Sequence, residues 1–142
     1  MSVDKLELLG PAMNAIGADA HQSIGGEPDG IFLYVEIGDG WVEPSLFKDE
    51  GAYLKYYWGS NELPDLIMDA WCLEPKDKRW IAMQYTISNG RFEAKFDFDD
   101  LEHSDEDSDD RLDRILHTRF GDKPVKYPPL TGDDIFHLKP PA

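Results

Sequence analysis

The chain is poor in the features that most often betray chemistry. Its one cysteine, Cys72, excludes an internal disulfide and suits a reducing compartment. No apolar run reaches about 18 residues, so no transmembrane helix is expected. The opening residues MSVDKLELLG lack a basic stretch and an apolar core, so no signal peptide is expected either. Together these features point to the cytoplasm. Basic residues are scarce, with 14 Lys and Arg against 29 Asp and Glu and a net charge of −15. That imbalance argues against nucleic acid and anionic membrane as ligands, because both need basic patches. It favours fast association with a basic partner.

Catalytic signatures are missing as well. The four histidines, His21, His103, His117 and His137, are scattered, with no H-E-x-x-H and no Cys/His cluster. There is no G-x-S-x-G and no glycine-rich phosphate loop. Gly38-Asp39-Gly40 has no following helix to bind an anion. Asp105-x-Asp107-x-Asp109 begins like a calcium loop, but Asp110 stands at the glycine position and Leu116 at the final glutamate position. No metal, cofactor or catalytic residue is therefore expected.

What is present is a folded composition of 41% hydrophobic and 12% aromatic residues. Its 142 residues suit a single domain. The firmest local pattern runs from Trp80 to Phe120. Asn89-Gly90 dictates a two-residue hairpin turn, which sets Ser88 opposite Arg91, Ile87 opposite Phe92, Tyr85 opposite Ala94, Met83 opposite Phe96 and Ile81 opposite Phe98. Ile81, Met83, Tyr85, Ile87, Phe92, Ala94, Phe96 and Phe98 then share a core face. Trp80, Gln84, Thr86, Glu93, Lys95, Asp97 and Asp99 share the other.

Elsewhere, Leu6, Leu9, Met13, Ile16, Ala20 and Ile24 mark an amphipathic helix that kinks or restarts at Gly10-Pro11. Residues 31–37 alternate as a strand, Gly38-Asp39-Gly40 turns the chain, and 41–47 and 52–58 are further strands. Leu63, Leu66, Ile67, Ala70 and Trp71 predict a second helix, capped by Ser60 or Asn61 and closed by Pro75. Cys72 on this helix is read as a small hydrophobe. A third helix is expected from about Asp105 to Arg119, capped by Ser104 and stopped at Gly121. Five of the ten prolines fall in a tail from 123 to 142, expected to lie extended on the surface. The whole predicts an α+β fold, with an antiparallel sheet of four to five strands packed against three helices.

Between Asp97 and Asp113 stand ten carboxylates against one arginine. Asp105, Glu106 and Asp107 complement a helix dipole, and Asp107–Arg111, Asp110–Arg114 and Asp113–His117 form i,i+4 pairs. Asp97, Asp99, Asp100, Glu102 and Asp109 are left without a folding reason, which marks them as a surface for a basic partner. Trp41, Tyr53, Tyr57 and Trp58 are numerous for such short segments; most are read as packing, and Trp41, Trp58 and one of the tyrosines are candidate anchors for that partner.

The order of elements and the segments IFLYVEI, YLKYYW, W-x-x-M-x-Y, NGRFEAKFDFDD and SDEDSDDRLDRI resemble the YezG-like immunity proteins of bacterial polymorphic toxin systems. The resemblance covers most of residues 3–121, and its most specific part is G-x-F-x-x-x-F-D-F-D-D. It implies a non-enzymatic cytoplasmic protein that neutralises a cognate toxin domain, often a nuclease. It carries over no catalytic residue. The alternatives are a general acidic adaptor domain and a cation-dependent hydrolase with a dispersed site. Pairing of copies through an exposed edge strand is a further expectation.

Overall fold

The computed structural model describes residues 5–98 and 107–127. In chain order the elements are α1 (Lys5–Ile24), β1 (Ile31–Gly38), β2 (Trp41–Asp49), β3 (Leu54–Tyr57), α2 (Leu63–Cys72), β4 (Ala82–Ser88), β5 (Arg91–Asp97), α3 (Ser108–Phe120) and β6 (Val125–Lys126). The sheet runs β5-β4-β1-β2-β3-β6, antiparallel except for β6, which pairs in parallel with β3. The α+β class holds, with six strands rather than four or five.

β1 is central, and its alternation builds two cores. Ile31, Leu33, Val35 and Ile37 face α1 and α2, where they meet Leu9, Met13, Ile16, Ala20, Ile67 and Trp71. Phe32 and Tyr34 face α3, where they meet Phe47, Leu54, Ala82 and Leu116. The alternation read from the sequence is thus correct, and neither face of β1 is wet. Fully burying aliphatic side chains of this size contributes about 1.5–3 kcal/mol each, so β1 is where the fold is most strongly specified.

Turn chemistry sets the registers. Asn89 (φ 55°) and Gly90 (φ 73°) adopt the left-handed conformation that a tight hairpin needs. Ser88 pairs with Arg91, Ile87 with Phe92, Tyr85 with Ala94 and Met83 with Phe96, as expected. Pro44 sits mid-strand in β2 without cost. β3 pairs only with residues 46–49, so Pro44 lies where β2 has a neighbour on one side alone.

The hairpin departs from expectation at its open end. Asp97 is the register partner of Ala82, yet its carbonyl accepts from the Ile81 N–H at 2.8 Å. Two residues therefore oppose one, a bulge that reverses the alternation below it. Trp80, expected on the outer face, turns inward and is fully buried against Phe96, with ring centroids 5.1 Å apart. Phe98, expected in the core, is 56% exposed.

The helices also depart in detail. α1 continues through Pro11 without a break in its assignment. Gly17 in α1 lets the sheet approach. A Cβ there would lie 2.3 Å from the Tyr85 hydroxyl, which instead donates to the Met13 carbonyl at 2.9 Å. Burial pushes the Tyr85 hydroxyl up to about 12. Ser60 does serve the start of α2, accepting from the N–H groups of Glu62 and Leu63 while donating to Asp19. Cys72 is exposed rather than packed.

α3 begins at Ser108, with Asp107 as its cap accepting from the Asp110 N–H at 2.8 Å. The proposed cap Ser104, along with Asp105 and Glu106, lies outside the described residues. Gly121 ends the helix at φ 65°, as expected. The start of the tail is not merely extended, since Val125 and Lys126 add a strand to β3. Lys123 anchors it on Asp49 at 2.7 Å. Burial alone would raise the Asp49 pKa, but the Lys123 hydrogen bond, the Gly51 N–H and nearby lysine charges hold it below the usual value.

A buried ion pair clamps α3 to the sheet. Arg111 donates to Glu36 through Nε and Nη2, both at 2.8 Å, in a two-pronged fork. The Tyr34 hydroxyl donates to the same carboxylate at 2.6 Å. Burial, followed by the neighbouring Glu36 carboxylate, drives the Tyr34 pKa far up. Arg111, expected to pair along the helix with Asp107, thus reaches across 75 residues instead.

Candidate protein-binding surface

The α3 side of the sheet carries every described residue that the sequence singled out for a partner. Strand alternation places Trp41, Glu43 and Ser45 of β2, Tyr56 of β3 and Asp97 of β5 on this face, with Trp58 following Tyr56. Asp109 lies in the first turn of α3, which packs on the same face. Asp99, Asp100 and Glu102 lie outside the described residues.

The aromatic residues form a graded stack. Phe32 meets Phe47, Phe47 meets Tyr56 edge-on at 5.4 Å, and Tyr56 meets both Trp58 and Tyr127 at 5.3 Å. The inner end is sealed in the core, whereas Trp58 is 62% and Tyr127 65% exposed. A large ring fixed on a rigid base and open to solvent loses little entropy on binding, which is how aromatic anchors work. Trp41 is different. Its indole lies over Gly38, where a Cβ would come within 2.5 Å of Nε1, so the close β1–β2 turn holds it in place. It is half-exposed but already committed to that turn.

Carboxylates flank the stack. Burial raises the Tyr127 pKa, and the negative charges of Asp113 and Asp109 on α3 add to the shift. Asp109 also borders a small pocket with Glu36, Glu43, Ser45 and Ser108. The nearby lysines stack on other rings, Lys126 over Tyr53 at 4.2 Å and Lys55 over Tyr57 at 5.0 Å. The outcome is an open patch of Trp58, Tyr56 and Tyr127 edged by Asp109 and Asp113. Such a patch suits arginine and lysine side chains, whose stems lie on rings while their charges meet carboxylates.

Asp97 does not join this patch. It lies four strands away, about 19 Å at the usual strand spacing. It lines a cleft of about 490 Å³ on the opposite flank of α3 with Lys95, Arg111, Arg114 and Arg119. Four of the chain's 14 basic residues line the same cleft, so Asp97, though exposed, is a carboxylate in a cationic setting rather than surplus negative charge. Asp109 has a folding reason as well, because it occupies the first turn of α3, where negative charge complements the helix dipole. The sequence shows no structural role for either residue. For Asp109 the role and the exposed position coexist.

Among the described residues no group of three or more His, Cys, Asp or Glu side chains could hold a metal ion. His21 bonds the Gly26 carbonyl, and His117 lies 3.3 Å from Asp122 rather than paired with Asp113. Also among the described residues, no helix is long and apolar enough to cross a membrane. No family model and no curated protein matches the sequence.

Sequence reasoning found Trp58 and missed Tyr127, Tyr56 and Asp113. Tyr127 lies in the proline-rich tail, and nothing local signals that β6 brings it to β3. Asp113 stands four residues before His117, a spacing that reads as a helical pair. The repeated tyrosines of YLKYYW were the only hint of a ring cluster at this edge.

Proposed function

We propose that this chain is an immunity protein, which binds a cognate toxin domain with a basic surface and neutralises it without catalysis. The observation that carries the reading is the pair of exposed rings, Trp58 and Tyr127, stacked on half-buried Tyr56, on the sheet face where α3 presents Asp109 and Asp113. It combines rigid anchors with carboxylates, the pairing that a basic protein surface demands. The net charge of −15 adds long-range steering toward such a partner. The segments resembling YezG-like immunity proteins agree with it. A nuclease must be basic to hold phosphates, so an acidic inhibitor can cover that surface directly.

Purified toxin domain, taken from the gene beside this one, should bind the chain and lose its toxicity. Trp58→Ala and Tyr127→Ala should each weaken binding by about 2 kcal/mol or more, as central anchors do. Trp41→Ala should cost less than about 1 kcal/mol. The pair Asp109→Asn and Asp113→Asn should slow association and flatten its salt dependence, since edge charges act on the on-rate. Full affinity in both aromatic variants would overturn this assignment of the surface. Turnover of any substrate that is abolished by one or two carboxylate changes would overturn the immunity reading itself.

A further inference from the structure

Among the described residues β5 ends the sheet, with no strand beyond it in the order. Its seven residues, Arg91–Asp97, read RFEAKFD. Reversed, this sequence complements itself. Two copies laid antiparallel about Ala94 set Arg91 against Asp97, Phe92 against Phe96 and Glu93 against Lys95, with Ala94 facing its own copy. Opposite charges then meet on the α3 face and phenyl rings meet on the α1 face, the two kinds of cross-strand pair that stabilise sheets. A carboxylate has about four lone-pair sites, so Asp97 can accept from the second copy's arginine alongside the contacts it makes at home.

Charge balance favours this edge. The chain carries 29 acids against 14 bases, yet the charged residues of β5 are Arg91, Glu93, Lys95 and Asp97 and sum to zero. Two strongly acidic molecules can meet here without repulsion between the strands themselves. Backbone direction favours it too. The tight turn makes Ser88 and Arg91 a hydrogen-bonded pair, so alternation points the N–H and C=O of Arg91, Glu93 and Lys95 at β4. Those of Ala94 point away from β4, toward the open edge. Along this edge runs a second cavity of about 490 Å³, lined in part by Leu9, Met13, Phe92, Ala94 and Phe96. Phe92 and Phe96 are only half-buried within one chain.

We propose that β5 is a self-pairing strand, which joins two copies of this chain antiparallel about Ala94 into one continuous sheet. The interface is isologous, with its two-fold axis through Ala94. It leaves the Trp58–Tyr127 patch at the far edge of each copy open, so self-pairing and partner binding do not compete. This inference stands apart from the immunity reading and survives or fails without it.

The test is light scattering and sedimentation of the full chain from about 1 μM to about 1 mM, with circular dichroism melts as the check on folding. The wild type should form a dimer. Glu93→Lys, or Lys95→Glu, sets like charges against each other twice per dimer and should raise its Kd roughly tenfold or more. The double exchange Glu93→Lys with Lys95→Glu restores opposite pairs and should return the Kd to within a few-fold of wild type. Ala94→Pro removes an N–H that faces the edge rather than β4, so the hairpin should stand while the dimer is lost. If the proline variant fails to fold, the charge exchange decides alone. A wild type that stays monomeric throughout would overturn the proposal, including one whose β5 pairs with a different protein's strand. So would a dimer indifferent to Ala94→Pro, or a double exchange no better than its singles.

Discussion

Replacing one member of the Glu36–Arg111 pair should be among the most damaging single changes in this protein. Glu36 is 3% exposed and Arg111 9%. The guanidinium makes two bonds of 2.8 Å to the carboxylate, which also accepts from Tyr34 at 2.6 Å. With Arg111→Met the Glu36 charge stays buried, having lost its paired cation. With Glu36→Met the guanidinium loses both bonds, and the Tyr34 hydroxyl loses its acceptor. Orphaning one side of a buried pair costs about 3–5 kcal/mol. At a denaturant slope of roughly 2 kcal/mol per molar urea, the midpoint should fall by about 2 M. The double variant Glu36→Met with Arg111→Met removes both members of the pair. It should therefore lose less than the two singles added together, with a coupling of about 2 kcal/mol or more. Urea unfolding followed by tryptophan fluorescence measures all three. Single costs below about 1 kcal/mol, or costs that simply add, would show that water reaches the pair and that α3 is held by its apolar side chains alone. The outcome also bears on binding, because α3 carries Asp109 and Asp113, and a loosened helix should weaken partner affinity without any change at the patch.

The bulge at Ile81 and Ala82 makes Trp80 a core residue, whereas Phe96 on the outermost described strand is half-buried, so Trp80→Ala should cost about 3–5 kcal/mol and Phe96→Ala about half as much, measured by thermal and urea melts. Equal losses would mean that the alternation runs unbroken through the bulge. Tyr85 should generate an alkaline loss of stability. Its pKa is raised from 10.0 to about 12, so below pH 10 both folded and unfolded states hold the proton, and between these values only the unfolded state releases it. Stability should fall as pH climbs through that window, and Tyr85→Phe should flatten this part of the curve at a cost near neutral pH of about 1 kcal/mol for the lost bond to Met13.

Whatever depended on neighbours along the chain was legible in the residues alone. Asn89-Gly90 set the β4–β5 register, because left-handed residues at a two-residue turn leave one way to pair the flanking strands. The alternation of residues 31–37 assigned both faces of β1 correctly. The spacing of Leu9, Met13, Ile16 and Ala20 gave the buried stripe of α1, and Gly121 gave the end of α3. The tertiary structure decided what depended on residues far apart. Arg111 looked satisfied by Asp107 one helical turn away, but a buried carboxylate on β1 is a stronger partner than a solvated one nearby. Trp80 followed strict alternation on paper, and a bulge visible only in the β4–β5 hydrogen bonds turned it inward. Tyr127 came from a proline-rich tail to complete an aromatic stack, because Lys123 and Asp49 dock that tail on β3. The acids told the same story: composition revealed their excess, and only the fold separated Asp109, on the first turn of α3, from Asp97, which shares a cleft with three arginines. Charge and hydrophobicity are properties of residues, whereas a surface is a property of which residues the packed backbone brings together.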